Sequence, residues 1–286
     1  MKIVKPSFEI WEQSVGLKGV YKQIEKVGRV CYKSEDKITE DSAKPFVDRM
    51  IKSGHGAMLE HGTVYLAMPM ETTLPIEANG WGKYTKNPYS KGFKVCEIDG
   101  QKRVAVTTNL RVLVENGWLD DLQYICEPTE YHERRVTVHF VCDRGVSHEF
   151  VRHRVMSFAQ ESTRYCNYSK DKFGGEITFV LPNWMTSPIW DENDKAGHIF
   201  LQTMKISEGA YLELLSEGWT PQQARAVLPN SLKTELVVTG FTSDWNHFFR
   251  LRSRIAETGK PHPQAQELAD PLMDEFVKRG IMETLL

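Results

Sequence analysis

The run Arg135 to Cys142 (RVTVHFVC) alternates apolar and polar side chains with period two, the pattern of a strand that lays one face on a core. It lies near the middle of a 286-residue chain whose two flanks carry apolar residues at helical spacing, and this order constrains the fold more than any other feature. Shorter alternations occur at Thr63, Val64, Tyr65, Leu66, Ala67 and Met68 and at Arg103 to Thr107. Helical patterns run from about Gly19 to Val30 and from Ser42 to Ile51, the second with Asp41 and Ser42 as candidate N-caps ahead of Phe46, Met50 and Ile51. Others cover Asn109 to Asn116, closed by Gly117, then Ile199 to Ser216, ending at Gly218, then Asp244 to Ile255 and Gln264 to Arg279; Pro221 sits where a further helix would open. Strands in the middle with helices on both sides predict an α+β fold: a central, mostly antiparallel sheet flanked by helices, with a helical C-terminal third. Neither GxGxxG nor GxxxxGK[ST] occurs, which disfavours a Rossmann or P-loop mode of nucleotide binding. Residues 71–103 are rich in Gly, Pro, Asn and Lys and read as a loop-rich insertion within one domain spanning 1–286.

Composition removes several classes of function. The 36 Lys and Arg against 38 Asp and Glu leave a formal charge of −2, which argues against sequence-independent nucleic-acid binding. With 41% hydrophobic and 10% aromatic residues the chain can bury a substantial core. No segment approaches the roughly 18 apolar residues of a membrane span, and the N-terminus lacks an apolar run of signal-peptide length. The five cysteines are widely spaced without CxxC, and His55, His61, His148 and His153 form neither HExxH nor HxH, so no disulfide framework and no metal site is expected. The expectation is a soluble cytoplasmic protein with no membrane and no nucleic-acid partner.

Chemistry concentrates in Ser147 to Ser169 (SHEFVRHRVMSFAQESTRYCNYS), where thirteen residues from Arg152 to Arg164 hold three arginines, a histidine, two serines, a glutamine and a glutamate. In a chain with no excess of cations, Arg152, His153, Arg154 and Arg164 gather donors where an anionic ligand could sit. The guanidinium fork suits phosphate or a planar imide, and Gln160 and Ser162 add neutral groups that orient a base or sugar edge. Two other readings compete: a solvated helix face with ion pairs, and a nucleic-acid-binding module using the Arg152–Arg164 segment with Tyr165 and Tyr168 for stacking.

RHR, seven residues, Ser162, then Thr163, Arg164 and Tyr165 resembles the signature of the flavin-dependent thymidylate synthases. The resemblance extends upstream to Gly28 to Tyr32 (GRVCY) and Ser53 to His61 (SGHGAMLEH), and downstream to Gln223 to Pro229 (QARAVLP) and Thr239 to Arg252 (TGFTSDWNHFFRLR). It implies reductive methylation of dUMP to dTMP, with methylenetetrahydrofolate as methylene donor, FAD as the redox cofactor and NADPH as reductant, in a homotetramer whose flavin sites lie at subunit interfaces. On this resemblance, FAD would contact His55, Ala57, Arg152, His153, Arg154, Gln160 and His247. The nucleotide would contact Glu149, Arg152, Gln160, Glu161, Ser162, Thr163, Arg164, Arg225 and Arg252. Arg252, facing the imide edge of the pyrimidine, would be the principal catalytic residue. Ser162 has no adjacent base and is read as a ligand. The chain departs from the family pattern at Phe241 and Ser243, where Asn and Arg are common, at Ala159 and Gln160, where an Asn-Glu pair is common, and at Glu149, where Gln is common.

Overall fold

The computed structural model of the chain describes residues 1–98, 100–185 and 194–283. In order, its elements are β1 (Lys2–Val4), β2 (Ser7–Trp11), α1 (Gly16–Tyr32), α2 (Ala43–Lys52), α3 (Gly56–Leu59), β3 (Thr63–Pro69), β4 (Lys91–Ile98), β5 (Gln101–Asn109), α4 (Leu110–Asn116), β6 (Arg135–Asp143), α5 (Arg144–Phe150), β7 (Ser157–Gln160), β8 (Thr178–Val180), α6 (Lys195–Ser216), α7 (Pro221–Ala224), β9 (Lys233–Phe241), α8 (Thr242–Arg252) and α9 (Pro263–Lys278). The main sheet has the order β2-β6-β9-β7 and is antiparallel throughout; β3-β5-β4 form a second antiparallel sheet, and β1 pairs with β8 in parallel. The fold is α+β, as the order of patterns predicts. Among the described residues no helix is long and apolar enough to cross a membrane.

The pleat of β6 sorts its residues. Val136, Val138, Phe140 and Cys142 join Leu236 and Val238 of β9 on one face, under Phe150 of α5, Trp245, Phe248 and Phe249 of α8, and Leu272 and Phe276 of α9. The opposite face takes α1, whose Val27, Val30 and Cys31 pack on Trp11, Ala159 and Val237. Phe140 is fully buried, with Phe150, Trp245 and Phe248 ring centroids at 5.0, 6.4 and 6.4 Å. α1 also closes a second core with Phe46 and Val47 of α2, Val64 and Leu66 of β3 and Val104 and Val106 of β5.

Three expectations change. Residues 91–98, read from sequence as loop, form β4, and β5 begins at Gln101 rather than Arg103. β4 is an edge strand with only Cys96 buried, and its register shifts between Gly92 and Lys94, so its sequence carries little alternation to read. The mostly helical C-terminal third contains β9, one of the two interior strands of the main sheet. Helices on one face and α1 on the other make Leu236, Val237 and Val238 all buried, and such a run does not separate strand from helix. At the start of α2, Ser42 takes the N-cap position, but its hydroxyl donates to Glu25 Oε2 (2.7 Å) and accepts from the Thr39 N–H (2.8 Å) instead of capping.

The aromatic core over β6 sets the stability of the whole site. Phe140→Ala is expected to lower unfolding free energy by about 3–5 kcal/mol, the cost of a large buried cavity. Urea denaturation checks this, and a loss under about 1 kcal/mol would show that the helices are held over the sheet by something else.

Candidate active site

β6 and β9 are antiparallel neighbours, so the helices that follow them start at opposite ends of the pair. α5 leaves β6 beside the Asp143↔Lys233 pair, and α8 leaves β9 beside the Arg135↔Phe241 pair. Asp143 caps α5 by accepting from the Val146 N–H (2.7 Å) and also accepts from Gln264 Nε2 of α9 (2.8 Å). Trp245 Nε1 donates to the Val136 carbonyl (3.2 Å) and fixes the first turn of α8 on the sheet. The two helices pack on the same face through Val146, Phe150, Trp245, Phe248 and Phe249. Seven residues carry α5 about 10 Å and eleven carry α8 about 16 Å, so they run toward each other and their C-terminal ends meet.

At that meeting point stands Arg252. One guanidinium nitrogen ion-pairs with the Glu149 carboxylate, the other donates to the Glu149 carbonyl (2.8 Å), and Nε donates to His153 Nε2 (3.3 Å). Three contacts from one planar fork fix the group in a single orientation. Accepting at Nε2 leaves the proton of His153 on Nδ1, a buried nitrogen without a partner among the described residues. Burial first, then the charges of Arg252 and His247, push the His153 pKa down to about 4, so the ring is neutral at physiological pH. His247 lies beside it, ring centroids 5.7 Å apart, and Phe248 backs it at 5.0 Å. Arg152 and Arg154, on the turn between α5 and β7, are exposed, and among the described residues neither side chain has a partner. The neutral His153 with a spare donor, between two unpaired guanidinium groups, fits a planar, anionic acceptor.

β7 then leads away from this cluster to a second one. Gln160 Nε2 donates to Ser147 Oγ of α5 (2.9 Å) and Thr234 Oγ1 of β9 (3.2 Å), which ties the end of β7 back to both elements. The Ser162 N–H donates to the Cys31 carbonyl at the end of α1 (3.0 Å). Its hydroxyl accepts from the Arg164 N–H (3.3 Å). Arg225 donates to Thr163 Oγ1 (3.1 Å), Arg164 Nε donates to Gln222 Oε1 (2.9 Å), and Tyr165 lies 5.3 Å from the Tyr32 ring. A cavity of about 730 Å³ runs from Tyr165 and Tyr32 to His55, lined also by Arg29, Arg49 and Lys172. A second, of about 400 Å³, runs past His55 and Ala57 to Cys31 and Arg111. His55 is exposed at the N-cap of α3, its N–H donating to the Met50 carbonyl (3.0 Å).

The candidate residues therefore fall into two groups: Glu149, His153, His247 and Arg252 with Arg152 and Arg154, and Ser162, Thr163, Arg164 and Arg225 with His55 and Ala57. Arg252 hydrogen-bonds with none of residues 160–165. Glu161 is enclosed: only 1% of its side chain is exposed, and its oxygens accept from Tyr168 (2.9 Å) and Lys233 (2.9 Å), so within this chain it supports the loop from behind. Phe241, at a departure from the family pattern, is a core residue under Lys91, and Ser243 bonds Glu133 (2.5 Å) and Lys91 (2.7 Å) at the surface. The sequence reading passed over Lys233 and Glu235, which stand two apart in β9 and so face the same side.

A family model described as thymidylate synthase complementing protein matches residues 128–279, just over half of the chain. The chain belongs to that family. Among its relatives are proteins named flavin-dependent thymidylate synthase, from Geobacter sulfurreducens at 34% identity over 109 residues, covering 38% of this chain and 43% of that protein, and from Pyrococcus furiosus at 30% over 145 residues, covering 51% and 55%. The chain spans about half the length of the curated relatives it matches. Among solved structures, a UMP/dUMP methylase PolB from Streptomyces cacaoi, bound with 5-Br dUMP, is similar at a TM-score of 0.45 and 16% identity, over 97% of this chain and 93% of that one. The matched region holds every element of the first cluster and the Ser162 loop, and leaves out His55 and Ala57.

Two buried histidines make stability depend on pH. His61, fully buried with Nδ1 2.8 Å from Thr239 Oγ1, is held down to about pKa 3 by burial and then by Arg135, and His153 is held near 4. The unfolded chain takes up these protons near pH 6.5 and the folded chain does not, so stability falls as pH drops through the window from about 6.5 to 4. Going from pH 6.5 to 4.5, His61→Gln should lose on the order of 2–3 kcal/mol less than the wild type, from the linkage of one proton over two pH units. Urea unfolding at both pH values measures it; equal losses in the two proteins would mean that His61 protonates in the folded state.

Proposed function

We propose that this chain is a flavin-dependent thymidylate synthase that methylates dUMP to dTMP, with methylenetetrahydrofolate as methylene donor, NADPH as reductant and FAD bound in a homotetramer. The observation that carries the reading is Arg252, held by Glu149 and His153 at the convergence of α5 and α8, beside the unpaired cations Arg152 and Arg154. FAD, when bound, supplies the hydride chemistry. Arg152, Arg154 and the Nδ1–H of His153 are the groups suited to hold it: two guanidinium groups for its anionic parts and one buried donor, all three without a partner among the described residues.

On this reading Arg252 presents its fork to the imide edge of the uracil and favours negative charge on N3 and the adjoining carbonyl oxygens, which makes the ring more reactive. Its charge is already in place before substrate arrives, and binding needs only the exchange of the Glu149 contacts for the imide. Glu149 holds the fork in place but also competes with the substrate for it. The Ser162 loop, with Arg164 and Arg225, takes the phosphate and sugar. Arg252 has no hydrogen bond to that loop within one chain, and this separation supports a site built from more than one copy, with the Arg252 cluster of one copy completed by the Ser162 loop of another.

Tritium release from 5-tritiated dUMP, with FAD, NADPH and methylenetetrahydrofolate present, tests the reaction; release that persists without flavin or folate counts against it. Arg252→Ala should lower turnover by on the order of a hundredfold or more, the size of losing one preorganised donor, while Arg225→Ala should mainly raise the dUMP requirement. Glu149→Gln removes the competing charge and should tighten dUMP binding several-fold. Steady-state kinetics decide both points: near-normal turnover for Arg252→Ala at saturating dUMP leaves Arg252 a binding residue only, and weaker dUMP binding in Glu149→Gln shows that the carboxylate itself contacts the nucleotide.

A further inference from the structure

Behind the Ser162 loop lies a line of enclosed charges that the proposed reaction does not use. Lys233 Nζ donates to Glu161 Oε2 (2.9 Å) and to Glu235 Oε1 (2.6 Å). Glu235 accepts in addition from Lys33 Nζ (2.9 Å), and its other oxygen lies 2.9 Å from His139 Nε2. The line thus joins three elements: Glu161 opens the loop, Lys233 and Glu235 stand on β9, and Lys33 is the C-cap of α1 with φ 47°. Side-chain exposure is 1% for Glu161, 17% for Lys233, 13% for Glu235 and 21% for Lys33.

The backbone follows the same route. The Glu161 N–H donates to the Glu235 carbonyl (2.8 Å), and the Ser162 N–H donates to the Cys31 carbonyl two residues before Lys33 (3.0 Å). Enclosing four charges is a poor way to gain stability, because desolvation offsets most of the attraction and well-packed apolar side chains do as well or better. What an ion line adds is direction: each oxygen accepts only from donors at defined positions, so one arrangement of loop, strand and helix is selected. The adjoining residues, Ser162 to Arg164, are those the proposed reaction uses to hold the nucleotide.

We propose that Lys233 is a positioning residue: through Glu161 and Glu235 it locks the Ser162–Arg164 loop onto the end of α1, and so presets the loop for an anionic nucleotide. The functional half of this rests on the reading of the chain as a dUMP-binding enzyme; the locking half does not.

The test uses the flavin-loaded protein and a double variant, Glu161→Gln with Lys233→Met, which removes the pair without leaving a lone charge and keeps an acceptor for Tyr168. Hydrogen exchange of the amides of residues 161–165 should speed up at least tenfold while exchange in β6 is unchanged, and the dUMP dissociation constant, by calorimetric titration, should rise at least tenfold. Lys233→Arg, which keeps the charge and both acceptors, should stay within about threefold of wild type in both measurements. If the double variant does not fold, Tyr168→Phe removes a single hydrogen bond to Glu161 and should shift the same two readouts in the same direction by a smaller factor. Unchanged loop exchange in a folded variant overturns the locking role, and faster exchange with unchanged dUMP affinity overturns the link to the nucleotide. A wild type that binds no dUMP defeats the proposed function instead, and the exchange measurement still decides the locking role.

Discussion

The pairing of β6 with β9 is the constraint from which the rest follows. Nine residue pairs, from Arg135↔Phe241 to Asp143↔Lys233, place a strand from the middle of the chain beside one from its last third. Because the pair is antiparallel, α5 and α8 leave from opposite ends and return over the same apolar face. Phe140, Phe150, Trp245 and Phe248 fix their separation, and Glu149 and Arg252 are brought together across more than a hundred residues of sequence. The same strand pair sends β7 along its far edge, with Ser157↔Thr239 to Gln160↔Leu236 in register, and so sets where the Ser162 loop begins. A one-residue slip of β9 would turn Leu236 and Val238 away from the helices and Glu235 into them.

Electrostatics divide the site into groups that are satisfied and groups that are not. Arg252 has three contacts within the chain and is fixed. Glu161, Lys233 and Glu235 satisfy one another. Among the described residues, Arg152, Arg154 and Nδ1 of His153 are left over, two exposed cations and one enclosed donor. Unsatisfied enclosed donors are uncommon in folded chains and call for a specific reason. On the proposed reading, the flavin held against the α5–β7 turn would supply partners for Arg152 and Arg154.

Much of this is legible in the amino-acid sequence. Alternation exposed β3, β5 and β6, whose larger apolar side chains recur at every second position, as Val64, Leu66 and Met68 do in β3 and Val104 and Val106 in β5, and Gly117 marked the end of α4 by taking a left-handed conformation, φ 69°. Arg152, His153, Arg154 and the Ser162 loop stood out by density of donors. β9 was not legible, since Leu236, Val237 and Val238 stand in succession and break the alternation that marks a strand, and β4 was hidden among turn-forming residues. The role of Glu161 was also beyond the sequence: its neighbours Gln160 and Ser162 point elsewhere, and only the partners Tyr168 and Lys233 reveal that it faces inward. Arg252 and Glu149 could be named separately, but their contact depends on a strand pairing that no local pattern encodes.

The central claim is that the convergence of α5 and α8 forms the place where nucleotide and flavin meet. A crystal structure of the protein grown with FAD and dUMP tests it most directly. The account predicts the uracil edge on the Arg252 guanidinium, the flavin against His153 between Arg152 and Arg154, and the phosphate on a Ser162–Arg164 loop. Nucleotide bound with Arg252 still closed on Glu149 and no ligand atom near His153 would contradict it.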